Sequence, residues 1–202
     1  MTTLRCLAVG DPHIKVSEIE YTDIMLQEVI RVARETRPDF IVVLGDTLHT
    51  NNKVDTNPLC RAVEFLGTLS EISFLVLLIG NHDLRNNQVY VSESDVPEHP
   101  FTALKRWPNT LVCDRAQVFE VKGVKFCGVP YVPTGRYFEA ISKVNTEEVR
   151  AFFSHQQFRG VKNSPSDAEG VDGDVWPEDT VPNFSGHYHE AQVVHPHLIY
   201  VG

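Results

Sequence analysis

Ten residues of this chain have the chemistry of metal ligands and stand where a fold could gather them. They are Asp11 and His13 in GDPH, Asp46 and His49 in GDTLH, and Asn81, His82 and Asp83 in GNHD. His155 in FFSHQQ, and His187 and His189 in GHYH, complete the set. Imidazole, carboxylate and one amide oxygen make the mixed set that borderline divalent metals prefer. Asp11 and His13 are two apart, as are His187 and His189, so each pair can face one ion from an extended turn. Asp46 stands alone after its glycine, where a carboxylate can bridge two ions. Two such ions, about 3.5–4 Å apart, are a recurrent hydrolytic device. Any one of these motifs alone is an ordinary polar loop. As a set they are not, because each follows an apolar run or sits at a glycine turn.

Those runs define the elements that must position the site. LRCLAV at 4–9, FIVVL at 40–44 and FLVLLI at 74–79 read as buried strands. Between the first two, Ile19, Ile24, Leu26, Val29, Ile30 and Ala33 recur at helical spacing over 18–36, and Pro38 ends that helix. A second helix starts at Asn57-Pro58 and runs through Leu59, Ala62, Val63, Leu66 and Leu69. This alternation predicts a largely parallel sheet covered on both faces, with ligands bound beyond the carboxyl ends of its strands. Further on, a short helix is expected near 101–107, strands at 110–113, 116–121 and 124–129, and a helix over 134–143. A strand from 151 should break at His155. Residues 159–182, rich in Gly, Pro, Asp and Ser, read as a long exposed loop. The last segment reads as the GHYH turn and a β-hairpin. The chain stops at LIYVG inside that hairpin, which leaves open an edge strand or a missing C-terminal tail.

Bulk properties set limits. The 202 residues suit one domain, 1–202, with 42% hydrophobic and 22% charged residues. A formal net charge of -9 and a pI near 5.4 argue against a surface built for strong non-specific binding to polyanions, though not against a local basic patch. Cys6, Cys60, Cys113 and Cys127 form no CxxC pair and read as reduced core or near-core thiols. No signal peptide or run of transmembrane length is visible, so no membrane partner is expected. The expected location is intracellular: the cytoplasm, with the nucleus also open.

The order DPH, GD, GNHD, a later His and GHYH resembles the calcineurin-like metallophosphoesterase superfamily over residues 4–202. The resemblance implies an α/β fold, a four-layer α/β/β/α sandwich with mixed central sheets. It also implies two divalent metal ions and phosphoester hydrolysis. Asp11, His13 and His189 would bind the first ion, Asn81, His155 and His187 the second, and Asp46 would bridge them. His82 would be a catalytic histidine near the substrate, held by Asp83. One departure is Ser154, where the family often has Gly or an apolar residue before the histidine. Only the resemblance separates His155 from His99, His195 and His197, which read as loop or surface histidines. Such enzymes commonly use manganese; Fe, Zn, Ni and Co also suit the ligand set.

The substrate class is less sharply written. Protein phosphatases of the superfamily carry GDxVDRG and GNHE, and this chain has neither. His49, three residues after Asp46, and the following Asn51 resemble the double-strand-break repair nuclease branch, as does GHYHEAQVV before IYVG. That resemblance makes His49 a second non-metal histidine near the scissile phosphate and Asn51 a substrate contact. It makes DNA or a nucleotide the substrate, and leaves a homodimer open by analogy. GNHDLR also resembles the cyclic-nucleotide phosphodiesterase branch, where Arg85 would be a substrate contact rather than a solvated loop arginine. Three readings therefore stand: a phosphodiesterase acting on nucleic acid or nucleotides, a small-molecule phosphomonoesterase or cyclic-nucleotide phosphodiesterase, and a non-catalytic protein-binding scaffold. The complete ligand set argues against the last. Lys105, Arg106 and Trp107 form either a basic and aromatic patch for nucleic acid or a core-facing Trp beside two solvated bases. Asp167, Glu169, Asp172, Asp174, Glu178 and Asp179 would repel a long polyanion if their loop overhangs the cleft.

Overall fold

The computed structural model of the protein describes residues 3–90, 99–162 and 174–202. Strands β1 (Cys6–Val9), β2 (Phe40–Val43), β3 (Phe74–Leu78) and β4 (Thr110–Cys113) form one parallel sheet in that order. Helices α1 (Ile19–Thr36) and α2 (Thr56–Ile72) connect the first three strands. Alternation along the strands decides what each face meets. Ile41, Val43, Leu75 and Leu77 join a core with Leu26, Ile30, Leu66 and Leu69 of the helices. Phe40, Val42, Val76 and Leu78 point the other way, into a second core. Burial on both faces is why these strands read as continuous apolar runs. Helix α1 ends where Arg37 turns left-handed, φ 46°, and its N–H returns to the Ala33 carbonyl at 3.0 Å. Pro38 cannot continue it.

The second sheet runs β5 (Gln117–Val121), β6 (Val124–Val129), β7 (Val149–His155), β8 (Asn183–Gly186), β10 (Leu198–Tyr200) and β9 (Gln192–His195). Its two outer pairs are antiparallel and its three inner pairs parallel. The sheets pack face to face. Phe40 from one meets Phe119, Phe126 and Phe153 from the other, with ring centroids 4.9–6.3 Å apart across the cluster. The far face of the second sheet is covered by α3 (Tyr137–Ser142) and by Trp176, which packs on Tyr137, Phe152 and Phe158. The order is helix, sheet, sheet, helix: the expected four-layer sandwich.

Some expectations change in detail. Residues 174–182 are not simply an exposed loop, because Trp176 is buried and Asp174 accepts the Tyr137 N–H at 3.1 Å. Glu178 and Asp179 are exposed, while Asp167, Glu169 and Asp172 lie outside the described residues. Trp107 packs on the helix-side core and Lys105 pairs with Asp114, so this tryptophan is not a stacking platform for bases. The four cysteines are unbridged; Cys113 and Cys127 are buried, Cys6 and Cys60 exposed. Burial pushes the Cys127 thiol up to about 12, which leaves it inert. No described helix is long and apolar enough to cross a membrane.

Candidate metal centre

The carboxyl ends of β1, β2 and β3 meet those of β7 and β8 at one edge of the sandwich. Asp11 and His13 follow β1, Asp46 follows β2, and Asn81, His82 and Asp83 follow β3. His155 is the last residue of β7, and His187 and His189 follow β8. Three of these residues hold a left-handed backbone: His13 at φ 44°, Asp46 at φ 45° and His187 at φ 84°. Such conformations are costly for side chains of this kind and persist where the surroundings enforce them, often at functional sites. Glycine makes room for the crowding. A Cβ on Gly80 would lie 2.2 Å from the Asp46 nitrogen, and one on Gly45, φ 110°, would lie 2.5 Å from His155 Nδ1.

Among the described residues three groups of side chains lie close enough to share a metal ion: Asp11 with His13 and His189, Asp46 with His155 and His187, and His13 with His49 and His82. The first two correspond to the expected ligand sets. His13 Nε2 lies 2.9 Å from His189 Nε2 and 3.5 Å from Asp46 Oδ2. Asp11 joins His13 and His189, with ligand atoms within 4.8 Å of one another. In the second group, Asn81 Oδ1 lies 3.0 Å from both His155 Nε2 and His187 Nδ1, which are 3.3 Å apart. Asp46 Oδ2 is 3.3 Å from His155 Nε2, so one carboxylate oxygen touches both groups. The other oxygen of Asp46 accepts the His82 main-chain N–H at 2.8 Å. The fold thus gathers every residue of the two expected ligand sets, with Asp46 between them.

The donor set fits divalent cations. Asp11 Oδ1 is buried and accepts no hydrogen bond. His155 Nδ1 donates to the Leu44 carbonyl at 2.8 Å, and Nε2 faces Asn81 Oδ1 and Asp46 Oδ2. Positive charge at that point, as a proton on Nε2 or as a metal ion, is what satisfies those two oxygens. Burial alone would lower the pKa of His155, but Asp46 and Asp11 outweigh it and raise it well above its usual value. Burial likewise works to raise the Asp46 carboxyl, and His155 outweighs it and holds Asp46 well below the usual carboxylate range. The site demands positive charge. Burial, then the charge of His155, brings His187 down to about 4. Burial also brings His13 to about 4, against the pull of Asp46. At neutral pH these rings are uncharged and carry the lone pairs that metal ligation needs.

His82 stands beside this set. Its ring centroid is 4.9 Å from that of His13, and it stacks on His49 at 5.5 Å and 8°. His82 Nδ1 donates to the His49 carbonyl at 2.7 Å. A carbonyl only accepts, so Nδ1 carries the proton and Nε2 is the nitrogen left for a substrate. Asp83 does not hold this ring, as was expected of it. Its Oδ1 accepts the Leu48 N–H at 2.9 Å, and its Oδ2 those of Gly80 at 3.0 Å and Thr47 at 3.3 Å. It ties the loop after β2 to the loop after β3. Burial, then the charge of Asp46, pushes its carboxyl up to about 7, against the pull of the Leu48 and Gly80 amides.

His49 places Nδ1 3.1 Å from His13 Nδ1, so it braces the far nitrogen of an expected ligand. Asn51 is a clamp: its Nδ2 donates to the Asn81 carbonyl at 2.7 Å and the Leu84 carbonyl at 3.1 Å. Arg85 is exposed and lines a cavity with His82. His99 is not a surface histidine; it is buried and faces Asp114 at 3.4 Å. His195 and His197 are half-buried on the β9–β10 turn, and His195 Nε2 donates to the Trp176 carbonyl at 3.1 Å. Sequence reasoning also missed Tyr131, whose ring stacks on His187 at 5.9 Å. Nothing in GVPYVP singles it out.

Residues 4–198 match the calcineurin-like phosphoesterase family, and the chain belongs to that family. Two viral proteins are similar to it over nearly its whole length. "Putative phosphoesterase 244L" of Invertebrate iridescent virus 6 is 34% identical over 205 residues, which is 100% of this chain and 70% of that protein. "Putative phosphoesterase 078R" of Invertebrate iridescent virus 3 is 35% identical over 200 residues, 97% of this chain but only 56% of that protein. A solved structure from Aquifex aeolicus, of a protein of unknown function named AQ665, aligns with 86% of this chain and 89% of its own. Its TM-score is 0.40 and its identity 17%, too low to bear on function. Family membership and two adjoining His/Asp groups together support metal-dependent phosphoester hydrolysis.

Proposed function

We propose that this chain is a dinuclear-metal phosphodiesterase acting on nucleic acid or nucleotide substrates. The observation that carries its hydrolytic part is the placing of Asp46 Oδ2, 3.5 Å from His13 and 3.3 Å from His155. Asp11, His13, His189 and Asp46 would hold one ion, and Asn81, His155, His187 and Asp46 the other. Two divalent ions, when bound, supply a water nucleophile of lowered pKa and positive charge against the phosphoryl oxygens. The chain's own side chains do the rest. His82 presents Nε2 to the ester and, when protonated there, passes that proton to the leaving oxygen. The His49 carbonyl keeps the ring in register. Asp83 and Asn51 fix the spacing of the two loops that carry Asp46, Asn81 and His82, and so pre-organise the site.

The diester preference rests on His49. The GDTLH resemblance to the repair nucleases assigns it a place near the scissile phosphate, and its ring lies against His82 and His13. Turnover with Mn present tests the preference, comparing bis-p-nitrophenyl phosphate, p-nitrophenyl phosphate and a short single-stranded DNA. Cleavage of the diester and the DNA, lost in His82→Ala, supports the reading. Cleavage of the monoester alone moves the substrate to a small phosphomonoester and makes the His49 resemblance incidental.

A further inference from the structure

Asn81 meets its two neighbouring imidazoles through one atom, Oδ1, which lies 3.0 Å from both His155 Nε2 and His187 Nδ1. A side-chain amide has two ends of opposite polarity: an oxygen that attracts a cation and an NH2 that repels one. Turned over, Asn81 would aim its N–H groups at the two imidazole nitrogens and close that point to a metal ion. The direction of this one amide therefore decides whether Asn81 can be a ligand.

A chain of contacts sets that direction. Asn81 Nδ2 donates to Asn87 Oδ1 at 3.3 Å. While Asn87 presents its oxygen, Asn81 must turn Oδ1 towards His155 and His187. Asn87 is held in turn by Tyr131, whose hydroxyl donates to the Asn87 carbonyl at 3.1 Å. The main-chain N–H of Tyr131 donates to the Ile79 carbonyl at 2.8 Å. One residue thus pins the loop on both sides of Asn81, at Ile79 and at Asn87. The same tyrosine ring stacks on His187, with centroids 5.9 Å apart and planes at 27°. The ligands expected for the first ion are braced by other groups. His13 is held by the Asp46 carbonyl at 2.9 Å and by His49, and Asp11 accepts the His187 N–H at 2.8 Å.

We propose that Asn87 and Tyr131 are positioning residues for the second metal ion. Asn87 fixes which end of the Asn81 amide meets the ion, and Tyr131 sets where Asn87 and the His187 ring stand. The proposal rests on the two-ion reading above. Outer partners of this kind are typically worth about 10–100-fold in metal affinity. Asn87 is exposed, so its replacement should disturb little else in the fold.

Mn titration of the chelated protein, followed by the electron paramagnetic resonance signal of free Mn, separates the two binding steps. In Asn87→Ala one step is expected to weaken by about tenfold or more while the other holds, with thermal melting of the metal-free protein unchanged. Asn87→Asp, whose carboxylate can only accept from Asn81, should keep both steps at least as tight as in the wild type. Tyr131→Phe leaves the ring on His187 and removes only the hydroxyl, so it should weaken the same step by a smaller factor. Asn87→Ala with both steps intact, or both weakened equally, overturns the positioning role. So does Asn87→Asp as weak as Asn87→Ala. Tyr131→Phe with both steps intact overturns the part given to Tyr131. A wild-type protein that binds fewer than two Mn ions overturns the two-ion reading itself, a result that no variant is needed to obtain.

Discussion

The imidazole of His82 is anchored by the carbonyl oxygen of His49, 2.7 Å from Nδ1, while the main-chain N–H of His82 is held by Asp46 Oδ1 at 2.8 Å. The ring is thus tied to the neighbouring loop and the main chain to Asp46, and His82 stands apart from the two expected ligand sets. His82→Ala should lower turnover by about a hundred- to ten-thousandfold, the usual span for loss of a positioned acid or base. Its metal content should match the wild type. Elemental analysis beside kinetics checks both halves; loss of metal along with activity would make His82 a ligand instead.

Asp83 accepts three main-chain N–H groups from inside the protein. Asp83→Ala leaves those donors buried and unpaired. It should destabilise the fold by about 1–3 kcal/mol, the cost of unsatisfied buried groups. Chemical denaturation measures this directly. A variant as stable as the wild type but inactive would restore Asp83 to the reacting groups.

Gly80 has no room for a side chain, since a Cβ would sit 2.2 Å from both the nitrogen and Oδ1 of Asp46. One of those contacts is main chain, so rotamer changes cannot relieve it. Gly80→Ala should cost about 1–3 kcal/mol by overpacking and should weaken metal retention by displacing Asp46. Unchanged melting and metal content would contradict the packing described for this edge.

Acid should act partly through Asp114. Burial works to raise its carboxyl, but His99 and Lys105 outweigh it and hold it well below the usual range. A depressed carboxyl contributes stability that is fully present above its unfolded pKa, about 3.9, and is lost as pH falls through the folded value. Between about pH 5 and pH 2 the wild type should lose more stability than Asp114→Asn, which lacks this contribution. Parallel denaturation curves across that window decide it, and equal slopes would remove the role given to Asp114.

Much of this site was legible because its chemistry follows local signals. Asp46 and Asn81 each come just after an apolar run buried on both faces, which leaves no other use for a polar tip, and Asp11 comes after a shorter run that is only partly buried. The helix end at Pro38 and the strand end at His155 were equally local. What stayed hidden depends on contacts between distant segments. His155 reaches the other candidate ligands because β7 pairs in parallel with β6 and β8, and no pattern near FFSHQQ states that pairing. His99 is buried by Asp114, fifteen positions away. Asn51 and Asp83 looked like groups for substrate and catalysis, because a polar side chain in a functional loop reads the same whether it faces ligand or main chain. The β8–β10–β9 order inserts the last strand between two earlier ones, which periodicity cannot show.

The central claim is that Asp46 joins two metal sites on which hydrolysis depends. It is tested most directly by metal stoichiometry and bis-p-nitrophenyl phosphate turnover, measured on the same samples of wild type and Asp46→Asn before and after chelation and Mn replacement. The account predicts two ions per wild-type chain, activity lost on chelation and regained with Mn, and an Asp46→Asn protein that folds but retains neither full metal content nor turnover. A wild-type protein that turns over equally well without metal, or an Asp46→Asn protein that keeps two ions and full activity, would contradict it.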